Sequence, residues 1–196
     1  MDNLSVQDTH FEKIRHGIYV ALWFANQHLE NFHELQTTLS QTRINKTRQF
    51  YHFLLFSEMA FYQCFVNNIF NSIHKHRKSN NIYRLCNYAL NESTLPQTLK
   101  DKINKYFIEI QELEKEDTFR KIDKDRNKVI SHNEIYHQGF APSLTYAEAK
   151  RFLKRLIKIF EKISLAYDAQ GYSYDLGHLH AMRLLNYLKN QPIGDV

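Results

Sequence analysis

The sequence predicts an all-α fold, and three features of the chain support this prediction. The 196 residues include only 5 Gly and 3 Pro, too few for the many turns of a strand-based fold. Apolar residues recur at gaps of three and four along several segments, the spacing that lines one face of a helix. Aromatic residues make up 14% of the chain and can fill a sizeable core. We therefore predict a single domain over 1–196, a bundle of about five to seven helices with long N-terminal helices.

Two long helices are expected at the start of the chain. The segment from Asp8 to about Leu39 is amphipathic, and a polar break over 40–45 follows it. From Lys46 to about Ile73 the chain is apolar almost all round, which is typical of a helix central in a core or shared with a subunit interface. The apolar face of the first helix consists of Phe11, Ile14, Ile18, Leu22, Ala25, Leu29 and Phe32.

Shorter helices complete the predicted bundle. A short helix follows the basic loop at 74–81 and ends near Leu90. The residues at 93–96 offer a helix start with Pro in the first turn, and that helix runs to about Lys115. Further helices are expected over 146–167 and, more roughly, over 176–188.

Composition also excludes several classes of function. No glycine-rich loop of the dinucleotide-binding or P-loop type occurs in the sequence, and no cofactor is expected. Cys64 and Cys86 lie in apolar helical segments, so we expect reduced core residues rather than a disulfide. The pattern of a signal peptide is missing and the apolar runs are too short to span a membrane, so we expect a cytoplasmic protein without a membrane partner. The net charge of +5 permits a polyanionic partner.

The segment 119–135, FRKIDKDRNKVISHNEI, carries the candidate chemistry. On a helix with about 100° per residue, Arg126 falls near the centre of an apolar stripe, and Asp125 and His132 lie together on its shoulder. A guanidinium that faces inward must be paired or must serve a ligand, because an unpaired buried charge is costly. A purely structural interpretation pairs Arg126 with a carboxylate on another helix, such as Glu58. The stripe consists of Phe119, Ile122, Val129 and Ile130.

The string Arg126-Asn127-Lys128-Val129-Ile130-Ser131-His132 resembles the signature of HEPN domains, in which an Arg precedes a His by a few residues. The order of helices is similar to the abortive-infection branch of that superfamily. There, long N-terminal helices precede the helix with the motif, and another amphipathic helix closes the bundle. The resemblance implies a HEPN-like bundle that acts as a metal-independent endoribonuclease. It also implies a toxin or phage-defence effector with its active site at a homodimer interface.

The chemistry implied by this resemblance suits the residue types. His132 would take the proton of a ribose 2′-hydroxyl or protonate the departing 5′-oxygen. Arg126 would stabilise the extra charge on a pentacovalent phosphate. Asn127 would orient the phosphate or the imidazole, and Asp125 would hold the ring tautomer. The products would carry a 2′,3′-cyclic phosphate and a 5′-hydroxyl, and DNA would be spared because it lacks the 2′-hydroxyl.

The resemblance also bears on partners. Arg126 and His132 are about 120° apart around a straight helix, and a twofold dimer would place two copies of each around one phosphate. Related proteins often carry a Tyr two residues beyond the His, which a partner nucleotidyltransferase modifies. Glu134 occupies that position here, and the nearest tyrosine is Tyr136. The resemblance implies a cognate antitoxin, of the nucleotidyltransferase or another type. It does not indicate how that antitoxin would regulate this chain, because the tyrosine is missing from its usual position.

Two other interpretations of the same segment stay open at this point. Residues 123–134 resemble a calcium EF-hand loop, although Lys128 occupies the sixth position, where the turn favours Gly, and the sequence has no second such loop. A helical interaction or adaptor module without catalysis is the third interpretation. The calcium ligands of the EF-hand interpretation would be Asp123, Asp125, Asn127 and Glu134.

A basic stripe on the helix at 146–167 favours an RNA partner. Its cations fall on one helical face and could follow a phosphate backbone, although a solvated surface would have the same pattern. The His-x-His pairs at 74/76 and 178/180 fit a metal site poorly, because residues two apart on a helix face away from each other. The predicted RNA-binding residues are Lys128, Lys150, Arg151, Lys154, Arg155 and Lys158.

Overall fold

The computed structural model describes residues 9–41, 49–75, 79–91, 94–131 and 141–168. These residues form six α-helices, and no strand occurs among them. The prediction of an all-α bundle with long N-terminal helices is therefore confirmed. The helices are α1 (Thr9–Gln41), α2 (Gln49–Ile73), α3 (Ile82–Asn91), α4 (Gln97–Lys115), α5 (Asp117–Ser131) and α6 (Tyr146–Asp168).

The long helices α1 and α2 form an antiparallel pair at the centre of the bundle. Leu35 near the end of α1 packs with Leu54 near the start of α2, and the Phe32 and Tyr62 rings lie 5.0 Å apart. Every residue of the predicted apolar face of α1 is buried. The periodicity of this helix therefore predicted its packing in full, because a stripe of this width has to face the core.

Helix α2 divides its apolar residues between the core and the surface. Phe65, Val66 and Ile69 are fully buried, whereas Phe53 is 60% and Phe56 is 50% exposed. The prediction that both cysteines are core residues is wrong for Cys64, which is exposed on α2, because that part of its circumference faces away from α1. Cys86 on α3 is fully buried, and this burial raises the pKa of its thiol.

The short helices α3 and α4 begin and end at local signals. Asn81 caps α3, since its side-chain oxygen accepts a hydrogen bond from the backbone N–H of Arg84 at 2.8 Å. Pro96 precedes α4 with φ −57° and ψ 147°, in agreement with the predicted helix start. Glu116 is extended, with φ −66° and ψ 148°, and this single residue separates α4 from α5. The chain therefore changes direction immediately before the segment with the candidate chemistry.

Helix α6 closes the bundle against α1 and α4. Its N-terminus carries a capping box: the Thr145 hydroxyl accepts from the Glu148 N–H at 3.2 Å, and the Thr145 N–H donates to the Glu148 carboxylate at 2.8 Å. The predicted helix at 146–167 is confirmed. The helix predicted at 176–188 lies outside the described residues. Among the described helices, none is both long and apolar enough to cross a membrane.

Candidate functional site

Helix α5 carries the candidate site and packs against α2, α4 and α6. Phe119 and Ile122 anchor it, since Phe119 is 8% exposed and Ile122 is fully buried. The described part of this helix ends at Ser131. His132 and Glu134 therefore lie outside the described residues, as do the side chains of Val129 and Ile130. The described part of the candidate site therefore consists of Arg126 and the groups around it.

Asp125 is the most buried polar residue of this helix. Its carboxylate is 0% exposed and accepts hydrogen bonds from the Tyr62 hydroxyl at 2.5 Å, from the Ser143 N–H at 2.7 Å and from the Ser143 hydroxyl at 2.5 Å. Burial and the bond to Asp125 raise the pKa of Tyr62. One carboxylate thus ties α5 to α2 and to the segment before α6.

Arg126 lies at the edge of the stripe rather than at its buried centre. Its Cζ is 3.8 Å from the centroid of the Phe70 ring, and its Nη1 donates to Asn127 Oδ1 at 3.3 Å. The side chain is only partly buried. The expectation that Arg126 is the inward residue and Asp125 the shoulder residue is therefore wrong. The long arginine side chain extends along its ring contact to the surface of the bundle, whereas the short aspartate side chain remains in the core next to its own backbone.

The charge of Arg126 is not neutralised by any carboxylate in the described part of the chain. No ion pair among these residues includes Arg126, so the proposed structural pairing with Glu58 is wrong. Glu58 is half-buried, and burial raises the pKa of its carboxyl. An arginine that rests on an aromatic ring without a carboxylate partner is fixed in position and can still bind an anion.

The Phe70 ring holds a second polar group besides Arg126. The exposed His74 ring stacks on it, with centroids 4.3 Å apart and an interplanar angle of 21°. Phe119 packs parallel to Phe70 from the side of α5, with centroids 6.1 Å apart and an interplanar angle of 3°. We call Phe70, His74 and Arg126 the Phe70 platform. From the sequence, His74 was assigned to a basic loop and to a His-x-His pair that fits a metal site poorly. Its contact with Phe70 was missed, although the two residues are four apart, a spacing that brings side chains together on a helix.

The calcium interpretation fails on local structure. Residues 123–131 belong to one continuous helix, whereas an EF-hand loop must turn back on itself to surround an ion. Asp125 is engaged by Tyr62 and Ser143, and Asn127 Nδ2 donates to Asp123 Oδ1 at 3.3 Å. In the described ranges, no group of three His, Cys, Asp or Glu residues could hold a metal ion.

The cations at the two edges of the basic face of α6 have acidic or polar partners, whereas those in its middle are exposed. Lys150 donates to Glu30 and, at 2.9 Å, to Asn26 Oδ1 on α1. Arg155 binds both carboxylate oxygens of Glu116, at 2.8 Å and 2.7 Å. The middle of the face is exposed, and within the described chain no ion pair includes its residues. These residues are Arg151, Lys154 and Lys158.

The match to a known family decides the identity of the chain. The family model of the AbiU2 HEPN domain matches residues 8–187, almost the whole length. The chain belongs to the AbiU2 HEPN family. No curated protein sequence and no solved structure is detectably similar to it. The resemblance predicted from the string 126–132 and the order of helices is therefore confirmed at the level of the HEPN superfamily.

In this AbiU2 HEPN domain, the predicted site residues fall into three groups. Arg126 and Asn127 lie together near the surface and contact each other, and Lys128 is exposed next to them. Asp125 points into the core and away from this surface. Arg151, Lys154 and Lys158 form a separate surface on α6. The structure thus leaves Arg126, the arginine of the predicted motif, accessible at the surface of α5.

Proposed function

We propose that this AbiU2 HEPN domain is a metal-independent endoribonuclease that acts as a toxin or phage-defence effector in abortive infection. The observation that carries the proposal is the state of Arg126: fixed on Phe70, partly exposed, and without a carboxylate partner in the described chain. A structural arginine at this position would be expected to form an ion pair. A phosphate-binding arginine has to keep its donors free for the substrate.

The proposed reaction is cleavage of RNA by its own ribose. The 2′-oxygen attacks phosphorus, the bond from phosphorus to the 5′-oxygen breaks, and a 2′,3′-cyclic phosphate and a 5′-hydroxyl result. His132 accepts the proton of the 2′-hydroxyl or donates one to the 5′-oxygen, since imidazole exchanges protons near neutral pH. The Arg126 guanidinium donates to the non-bridging oxygens, where negative charge develops in the transition state.

Asp125 contributes to the proposed site as a positioning residue. Its three hydrogen bonds hold α5 against α2 and the start of α6, and Arg126 is the next residue along the chain. The direction in which Arg126 leaves the helix therefore depends on this buried contact. In this proposal Asp125 therefore supports the catalytic arginine and does not itself touch RNA.

A homodimer is part of the proposal. On a straight helix Arg126 and His132 would project about 120° apart, so one helix would not aim both side chains at one phosphate without a second copy. Two large apolar side chains on the outer part of α2 support a subunit contact, since Phe53 is 60% and Phe56 is 50% exposed. In a twofold arrangement each copy would contribute the same residues to a shared site.

The test is cleavage of labelled, structured RNA by the purified full-length chain in excess EDTA. We expect cleavage by the wild type, with cyclic-phosphate ends, and a loss of at least about a hundredfold in Arg126→Ala and His132→Ala. Arg120→Ala is the matched control, because Arg120 is an exposed arginine on the same helix. Equal cleavage by the wild type and Arg126→Ala would refute the assigned site, and partner binding without cleavage would favour an adaptor.

A further inference from the structure

The Phe70 platform brings together polar groups from two different helices. His74 follows the last residue of α2, and its backbone N–H still donates to the Phe70 carbonyl at 2.7 Å. Arg126 comes from α5. Each group is within 4.3 Å of the centroid of the same ring. The imidazole and the guanidinium are therefore close enough for one short segment of RNA backbone to touch both.

The platform is rigid, and an exposed lysine follows it in the chain. Phe70 is 5% exposed and packs parallel to Phe119, so the ring that supports both groups cannot rotate freely. The next residue after His74 is the exposed Lys75, whose Nζ lies 5.9 Å from the Tyr83 ring. A phosphate segment beside Arg126 would find an imidazole donor on the side of α2, and nitrogen donors of these two kinds are typical of contacts to a nucleic-acid backbone.

We propose that His74 is a further RNA-contacting residue of this site, donating an imidazole N–H to a phosphate oxygen next to the phosphate that Arg126 binds. The inference rests on the proposed function, since it assumes that RNA lies on Arg126. Phe70 fixes the distance between the two donors before RNA arrives, so little ordering is needed when RNA binds.

A packing role for His74 makes different predictions from an RNA contact. His74→Phe keeps an aromatic ring on Phe70 and removes both imidazole nitrogens. His74→Gln removes the ring and keeps an N–H donor. If His74 only covers Phe70, the Phe variant should behave as the wild type does. If His74 donates to RNA, the Phe and Ala variants should be equally defective and the Gln variant should be less so.

The experiment measures binding separately from cleavage. The probe is a fluorescent RNA with a 2′-O-methyl group on every ribose, which keeps the phosphates but lacks the attacking hydroxyl. We expect His74→Ala and His74→Phe to weaken binding about tenfold and His74→Gln to weaken it less. His16→Ala is the matched control, because His16 is exposed on α1 and its ring also lies beside an aromatic ring, that of Tyr19.

The outcomes separate this inference from the proposed function. Wild-type affinity in His74→Phe would overturn the role of His74 even if the wild type cleaves RNA and Arg126→Ala does not. A loss in His74→Ala and His74→Phe, with no cleavage of ordinary RNA by the wild type, would support the contact and refute the ribonuclease. No measurable binding of the probe by the wild type would overturn the inference. Thermal unfolding of each variant identifies losses that come from misfolding.

Discussion

Asp125 and Arg126 are neighbours in the sequence, yet their side chains have opposite environments. Asp125 is fully buried with three hydrogen-bond donors around it, and Arg126 reaches the surface over Phe70. The two side chains leave α5 about 100° apart, and the helical pattern alone assigned the inward position to Arg126 rather than to Asp125. Side-chain length and the presence of Tyr62 and Ser143 decide the outcome, because a short buried carboxylate has to find its donors nearby.

At the scale of single residues, Asp125→Ala should lower the free energy of unfolding by about 2 to 4 kcal/mol. The substitution leaves the Tyr62 hydroxyl and both Ser143 donors without their shared acceptor in a buried position. Urea unfolding at neutral pH measures the change. Asp123→Ala is the control and should stay within about 0.5 kcal/mol, since Asp123 is only partly buried and the hydrogen bond that it accepts from Asn127 is long.

The hydrogen bond between Tyr62 and Asp125 can also be removed at its donor, Tyr62. Tyr62→Phe keeps the buried ring and removes the hydroxyl that donates to Asp125, so we expect a loss of about 1 kcal/mol. In combination with Asp125→Ala the two losses should not add, because both variants remove the same bond. Additive losses in urea unfolding would show that the two residues stabilise the protein independently.

At the scale of single helices, the capping box at the start of α6 is a feature that residue spacing alone indicates. Thr145 and Glu148 have the spacing of a capping box, and the structure shows both reciprocal hydrogen bonds. The backbone N–H of Thr145 and then the Lys121 ammonium lower the pKa of Glu148 from 4.5 to about 2. Glu148 therefore connects the N-terminus of α6 to α5 as well as capping its own helix.

This capping box predicts a pH dependence. A carboxyl whose pKa is lower in the folded state stabilises that state above its ordinary pKa, and the effect disappears as pH falls through the folded value. The wild type should thus be more stable than Glu148→Gln by a constant amount between pH 5 and 8, since glutamine can still cap the helix. The difference should shrink from about pH 4.5 towards pH 2. Urea midpoints measured across this range would disprove the linkage if the difference stayed constant.

The basic face of α6 yields a second element-scale prediction. The triple variant Arg151→Ala, Lys154→Ala, Lys158→Ala removes the exposed middle of the face without breaking an ion pair of the described chain. If this face contacts RNA, the slope of log affinity against log salt should fall by about 2, since each lost phosphate contact removes about 0.7 to 0.9. An unchanged slope would show that the exposed middle of this face does not contact RNA phosphates.

Lys150→Ala should behave differently from the triple variant. Lys150 binds Glu30 and Asn26 on α1, and Asn26 is 3% exposed. Its removal should cost about 1 to 2 kcal/mol in urea unfolding and should leave the salt dependence of RNA binding unchanged. A clear change in the salt slope, without a loss of stability, would place Lys150 in the RNA contact instead.

At the scale of the whole molecule, subunit mixing tests the proposed dimer. If a shared site needs His132 from both copies, activity in mixtures of wild type and His132→Ala should fall as the square of the wild-type fraction. An equal mixture would then retain about a quarter of the activity, compared with about half for independent monomers. The measurement is RNA cleavage after the mixture has been unfolded and refolded together. Sedimentation of the wild type provides the independent check on oligomeric state.

The sequence by itself determined the helices, the amphipathic face of α1 and the HEPN relationship, because these depend on residue spacing along one chain. Three details required the tertiary structure: the burial of Asp125, the exposure of Cys64 and the placement of His74 and Arg126 on the same Phe70 ring. Each depends on side chains from different helices, and periodicity gives the direction of a residue but not the neighbour it meets. The packing of α2 against α5 therefore decided which groups share the candidate site.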